Sequence, residues 1–164
     1  MFGFNAEEVF QMAIELEEHG KAFYDKAQEL VDDETVKELF RYLGAEEIKH
    51  KKKFEELKAS LPDQAKGGSV HDPHGEMDQY LKMMADMHVF RTSQGVDDRL
   101  GAVKTAEDAL KLAIEFEKDS VIFFLSMQDA TDDNKGKELI GQLVKEEQEH
   151  LRKLTVKLRD LKKK

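Results

Sequence analysis

The sequence predicts an all-α fold: an antiparallel bundle of four long helices, made of two helical hairpins joined by a long crossover. Three observations predict it. Apolar residues recur at three- and four-residue steps over four separate stretches. Only two prolines interrupt 164 residues, 37% of them charged, a mixture suited to long solvated helices. The chain also repeats itself, so that Ala13 and the residues after it align with Ala113 and those after it.

The first helix is predicted over about residues 6–31, with Ala13, Leu16, Gly20, Tyr24, Ala27 and Val31 on one stripe. Asp32 and Asp33 break the pattern, and Asp33 is placed to cap the next helix. That second helix carries Val36, Leu39, Leu43, Phe54 and Leu57 and stops near Pro62. The connection between them is so short that the two must be antiparallel neighbours. The stretch QAKGGSVHDPHG reads as loop, and Met77, Tyr80, Leu81, Met84 and Met87 mark one short amphipathic helix. Thr105 opens a capping-box-like TAED ahead of the third long helix, near residues 106–130. Asp132 and Asp133 form a second break, and the fourth helix covers about residues 135–161.

The repeat lays AIELEEHGKAFY over AIEFEKDSVIFF, and EEIKH, ending at His50, over EEQEH, ending at His150. The expected organisation is one domain over residues 1–164. Its hairpins cover about 5–61 and 105–161, and the crossover covers about 62–104.

Composition excludes several classes of function. Without cysteine there are no disulfides, thiolate metal sites or iron–sulfur clusters, so any metal must be held by nitrogen and oxygen. A net charge of −9 argues against nucleic acid, which needs a basic face. No apolar run is long enough to span a membrane, and the first residues do not read as a secretory signal. A cytoplasmic protein is the expectation.

A few charged groups break the core pattern, and they do so in register with the repeat. Glu17 lies about 40° from Ala13 on the helical wheel, inside the apolar stripe, whereas Glu15 and Glu18 fall on the opposite side. Glu47 and His50 are one turn apart and share the stripe of Leu43 and Phe54. The second half reproduces both features with Glu117, and with Glu147 and His150. A lone inward glutamate or histidine would read as solvated or structural. Four carboxylates converging on one core repel each other and lose hydration, at a cost of several kcal/mol per uncompensated ion. Two divalent cations remove that cost, because +4 balances −4 and two neutral imidazoles complete the shell. Oxygen and nitrogen ligands with open positions suit Fe²⁺ or Mn²⁺, and spacing alone does not choose between them.

One Glu on each of two helices, with Glu-x-x-His on each of the other two, is the pattern of ferritin-like di-iron proteins. The halves AIELE…FY…EEIKH and AIEFE…FF…EEQEH resemble the rubrerythrin-type branch of that superfamily, over about residues 5–61 and 105–161. The resemblance implies a ferritin-like bundle and two iron ions, or manganese, on Glu17, Glu47, His50, Glu117, Glu147 and His150. Glu47 and Glu147 are candidates to bridge the metals. It implies an oxidoreductase reacting with peroxide or O₂ in oxidative-stress defence and supplied with electrons by a separate protein. The alternative is an iron-binding, ferroxidase-type protein without turnover. Two departures bear on that choice. The four-cysteine rubredoxin domain of full-length rubrerythrins is absent, and Ser120, with Gly20 as its counterpart, stands where the pattern has an extra carboxylate. Cage storage as in ferritins is not expected, because the sequence given stops soon after the fourth helix.

Other residues carry weaker expectations. Tyr24 follows Glu17 by two turns; its plainer reading is a core tyrosine with a satisfied hydroxyl, its sharper one a hydrogen-bond or electron donor to the metals. His71 and His74 read as solvated loop, with a cover over the site as the alternative, and His19 and His88 read as incidental. Glu46 and Glu146 flank the ligands and are candidates to support them. Ile114, Val121, Ile122 and Leu125 give the third long helix a second apolar surface. Either the methionine-bearing crossover helix or a second subunit must cover it, and a homodimer is the expectation. The methionines themselves read as packing.

Overall fold

Short polar side chains fix where the helices begin. In the computed structural model, which describes residues 5–62, 74–131 and 133–163, Asn5 accepts a hydrogen bond from the Glu8 amide and opens α1 (Ala6–Leu30). Asp33 accepts from the amides of Thr35 and Val36 and opens α2 (Glu34–Ala59), as its position after the break suggested. The crossover holds α3 (Glu76–Asp86) and α4 (Ser93–Leu100). Thr105 and Asp108 form the full capping box of α5 (Ala106–Asp129), and Asp133 caps α6 (Asn134–Leu161). Among the described residues there is no strand, and the architecture is the all-α, ferritin-like helical bundle that the sequence predicts.

The long helices bury their stripes in two apolar clusters with a polar layer between them. In one cluster Val9, Ala13 and Leu16 of α1 meet Phe54 of α2, Phe123 and Phe124 of α5, and Ile140 and Leu143 of α6. In the other, Phe23, Tyr24 and Ala27 of α1 meet Phe40 and Leu43 of α2, Ala113 and Phe116 of α5, and Leu154 of α6. Each long helix therefore passes from one cluster to the other part-way along its length. The buried residues at these crossings include Glu17 and Gly20, Glu47 and His50, Glu117 and Ser120, and Glu147 and His150. A fully buried Phe or Leu contributes roughly 1.5–3 kcal/mol, and the apolar clusters on either side hold the ionisable layer out of water.

The crossover differs from expectation, for its described residues form two short helices and not one. The segment SQGVDDRL of α4 buries only Val96 and Leu100, too few apolar positions to register as a period. The link between α3 and α4 dips into the bundle. Phe90 is fully buried, with ring centroids 4.8 Å from Phe23 and 5.2 Å from Phe116. The Val89 amide donates to Asp119 Oδ2 at 2.9 Å, and Arg91 bonds Glu15 and Asp86 at 3.0 Å each. Tyr80 on α3 brings its hydroxyl 3.2 Å from Ser126 Oγ on α5.

This packing covers only part of the second apolar surface of α5. Ile114 and Val121 are half-buried, while Ile122 and Leu125 remain 45% and 43% exposed. Tyr80 and Met83 of α3, and Met87 just after it, are exposed as well. Among the described residues no helix is long and apolar enough to cross a membrane.

Candidate metal centre

Glu17, Glu47, His50, Glu117, Glu147 and His150 all lie in the polar layer, none more than 2% exposed. His50 Nδ1 is 2.6 Å from Glu147 Oε1 and 3.4 Å from Glu17 Oε2. His150 Nδ1 is 3.1 Å from Glu147 Oε2, 3.6 Å from Glu117 Oε2 and 3.8 Å from Glu47 Oε1. The two imidazoles are nearly parallel, with centroids 5.2 Å apart. One donor atom from each of Glu47, His50, Glu147 and His150 falls within 4.8 Å of the others. Glu17 closes the His50 side of this group and Glu117 the His150 side, while Glu147 offers one oxygen to each imidazole.

Hydrogen bonds do not satisfy this layer. Both oxygens of Glu17 and of Glu47, Glu117 Oε2, Glu147 Oε1 and His50 Nδ1 are buried without a hydrogen-bond partner. The 2.6 Å approach of His50 Nδ1 to Glu147 Oε1 is close but lacks the direction a hydrogen bond requires. Each such atom costs of order 1–3 kcal/mol, and more when charged. Nitrogen and oxygen lone pairs converging on a shared space are what divalent cations satisfy, so the donor set fits a metal pair.

Electrostatics describe the same problem in protons. Burial pushes the Glu17 carboxyl well above the usual range, with repulsion from Glu147 next, and Glu47 is raised by burial and then by Glu17. Glu117 is raised to about 8 by burial and by Glu147. For Glu147 burial also disfavours charge, but the two imidazoles overcome it and hold this carboxyl below the usual range. Burial likewise opposes charge on the imidazoles. Glu147 nevertheless pushes His50 up to about 10, and Glu117 with Glu147 does the same for His150. Without metal the layer holds protons, which cations must displace on binding.

Neighbouring side chains orient the donors, and they do so unequally. His50 Nε2 lies 3.0 Å from Glu146 Oε2, and Glu146 is held by Lys53 Nζ at 2.8 Å. With Nε2–H donating there, a neutral His50 presents the Nδ1 lone pair to the cluster. Glu46, the matching residue of the first half, pairs with Lys49 instead. The Tyr24 hydroxyl donates to Glu117 Oε1 at 2.5 Å, so Tyr24 is both core and a partner of the site. Phe124 occupies the matching position and has no hydroxyl to give Glu17.

The rubrerythrin family model matches residues 8–159, a span that contains the whole layer. The chain belongs to the rubrerythrin family. Family and buried Glu/His cluster together fit a di-iron protein. No curated protein and no solved structure gives a significant match.

Within this rubrerythrin-family fold, Ser120 and its counterpart Gly20 have their own partners. A Cβ on Gly20 would sit 2.3 Å from Phe116 Cζ, so glycine is there to admit that ring. Ser120 Oγ lies 3.1 Å from His88 Nε2. His88 is thus not incidental: it is buried, and its Nδ1 accepts from the Phe90 amide at 3.1 Å. His19 is engaged too, its Nδ1 2.7 Å from the Phe90 carbonyl oxygen. The available signal was Ser120 itself, a hydroxyl on an inward face that needs a partner. His74 is exposed, and His71 lies outside the described residues.

Proposed function

We propose that the chain is a di-iron carboxylate oxidoreductase of the rubrerythrin type, working in the cytoplasm and reducing peroxide or O₂ with electrons from a separate protein. The observation that carries this reading is the set of buried, unpartnered lone pairs at Glu17, Glu47, His50, Glu117 and Glu147. Glu17 and His50 would hold one ion, Glu117 and His150 the other, with Glu47 and Glu147 shared between them. Two iron ions so held would supply the electrons that reduce a small oxidant. Glu146 and Tyr24 keep one imidazole and one carboxylate in place. The apolar clusters on both sides exclude water from the layer. Manganese satisfies the same donors, and metal content decides between them.

One observation favours a second reading. Ser120 replaces the extra carboxylate of the rubrerythrin pattern, which suits an iron-handling protein that oxidises iron once without turnover. The test is metal content after purification without added metal, then peroxide consumption by anaerobically reduced, iron-loaded protein with a reductant present. About two irons per chain and repeated consumption is the expected result. A single oxidation with no turnover would favour iron handling. Failure to take up Fe²⁺ or Mn²⁺ would sink both. Glu47→Ala or Glu147→Ala should lose at least one metal, and chelation of the wild type should lower its melting temperature. Two metals retained in both variants would show the ligand assignment to be wrong.

A further inference from the structure

The crossover places a histidine against the polar layer at the one position where this chain carries a hydroxyl in place of a carboxylate. Ser120 is fully buried and follows Glu117 by three residues on α5, on the same face. Its only described partner is His88. The Phe90 amide donates to His88 Nδ1, so a neutral imidazole carries its hydrogen on Nε2 and donates it to Ser120 Oγ. The serine oxygen is then an acceptor, and its own proton remains to be given. Other hydroxyls on or just after these helices give that proton to the carbonyl four residues back: Ser126 to Ile122, Thr131 to Met127 and Thr155 to Leu151. Among the described residues Ser120 makes no such bond.

The histidine is held firmly enough to orient its partner. Its neighbours Val89 and Arg91 are tied to Asp119, Glu15 and Asp86. The Phe90 carbonyl oxygen is fixed by His19, and the His88 ring stands edge-on to Phe116 at 5.5 Å. Two other donors at the layer are committed, Tyr24 to Glu117 and His50 Nε2 to Glu146. A small anion entering this carboxylate-rich space would therefore meet acceptors nearly everywhere.

We propose that Ser120, oriented by His88, is the hydrogen-bond donor for a small anionic ligand of the metal centre, of the peroxide or azide class. Ser120 touches that ligand; His88 is a positioning residue that acts through it. The proposal rests on the metal-centre reading above, and the probe separates the two. Azide is titrated into iron-loaded, air-oxidised protein and followed by visible absorption, with iron per chain measured on the same samples. Wild type, Ser120→Ala, Ser120→Thr and His88→Leu are compared. Ser120→Ala should keep its iron and bind azide about tenfold more weakly, as the loss of a hydrogen bond to a charged group requires. Ser120→Thr keeps the hydroxyl and should stay near wild type. His88→Leu leaves α5 unchanged but frees Ser120 to bond the Phe116 carbonyl, so its azide affinity should fall as well. Equal azide affinity in loaded wild type and either loaded Ser120→Ala or loaded His88→Leu would overturn this proposal alone. A wild type that takes up no iron would overturn it together with the metal-centre reading.

Discussion

His88 is buried beside aromatic rings and keeps its imidazole neutral, with a pKa lowered to about 3. Burial is the main cause; His19 on α1 and Arg91 in the link add to it, and the negative charge of Glu147 on α6 opposes it. The sign of the consequence follows from the unfolded value near 6.5. Above that pH neither state binds the proton and the folded form loses nothing. As pH falls from about 6.5 toward 3 the unfolded chain takes up a proton that the folded chain refuses, so stability drops. The slope is at most about 1.4 kcal/mol per pH unit. Denaturant unfolding of wild type and His88→Gln between pH 7 and 4.5 isolates this term, because the carboxylate layer is common to both proteins. The wild type should lose stability more steeply, and parallel curves would show that His88 is protonated in the folded state.

Gly20 illustrates how a pair of helices is fitted around the site. Alanine in mid-helix is ordinarily better than glycine by about 1 kcal/mol. Here its Cβ would come 2.3 Å from Phe116 Cζ, and the ring cannot withdraw, since Phe90, His88 and Tyr24 surround it at centroid distances of 5.2, 5.5 and 6.0 Å. Overpacking of this kind costs about 1–3 kcal/mol and outweighs the helix gain. Gly20→Ala should therefore lower stability in thermal or denaturant unfolding, and Phe116→Leu in the same chain should recover part of the loss. Additive effects would place the clash elsewhere. The long helices were legible because their caps and stripes are local: Asp33 and the Thr105–Asp108 box open helices where the sequence says they should. The α4 segment was not, because eight residues with two buried positions carry no period. Nor was the role of His88, which depends on a link folding back to a serine 32 residues away in the chain.

At the scale of the whole molecule, the near-repetition of one hairpin by the other made the centre readable, since inward Glu and Glu-x-x-His recur in register and meet in one layer. What repetition could not convey is where the halves differ: Tyr24 against Phe124, Glu146 against Glu46, and a crossover that covers α5 incompletely. Ile122 and Leu125 on α5, Tyr80 and Met83 on α3, and Met87 just after it leave large apolar side chains in water. Monomers rarely leave apolar patches of this kind uncovered, and we propose that a second copy covers this one in a homodimer. Charge gives the dimer a direction in salt. Each chain carries −9 before metal and stays negative with two divalent cations bound, so two chains repel, and screening should tighten their association while leaving the apolar contact intact. Sedimentation of the metal-loaded protein should show a dimer at micromolar concentration that is stronger at 0.5 M than at 0.05 M salt, where the Debye length is roughly 4 Å against roughly 14 Å. Leu125→Glu or Met83→Glu should shift it toward monomer with metal content unchanged, because neither residue lies in the polar layer. A wild type that remains monomeric at all concentrations, or a dimer indifferent to both substitutions, would leave α3 and α5 without the partner that their exposed side chains call for.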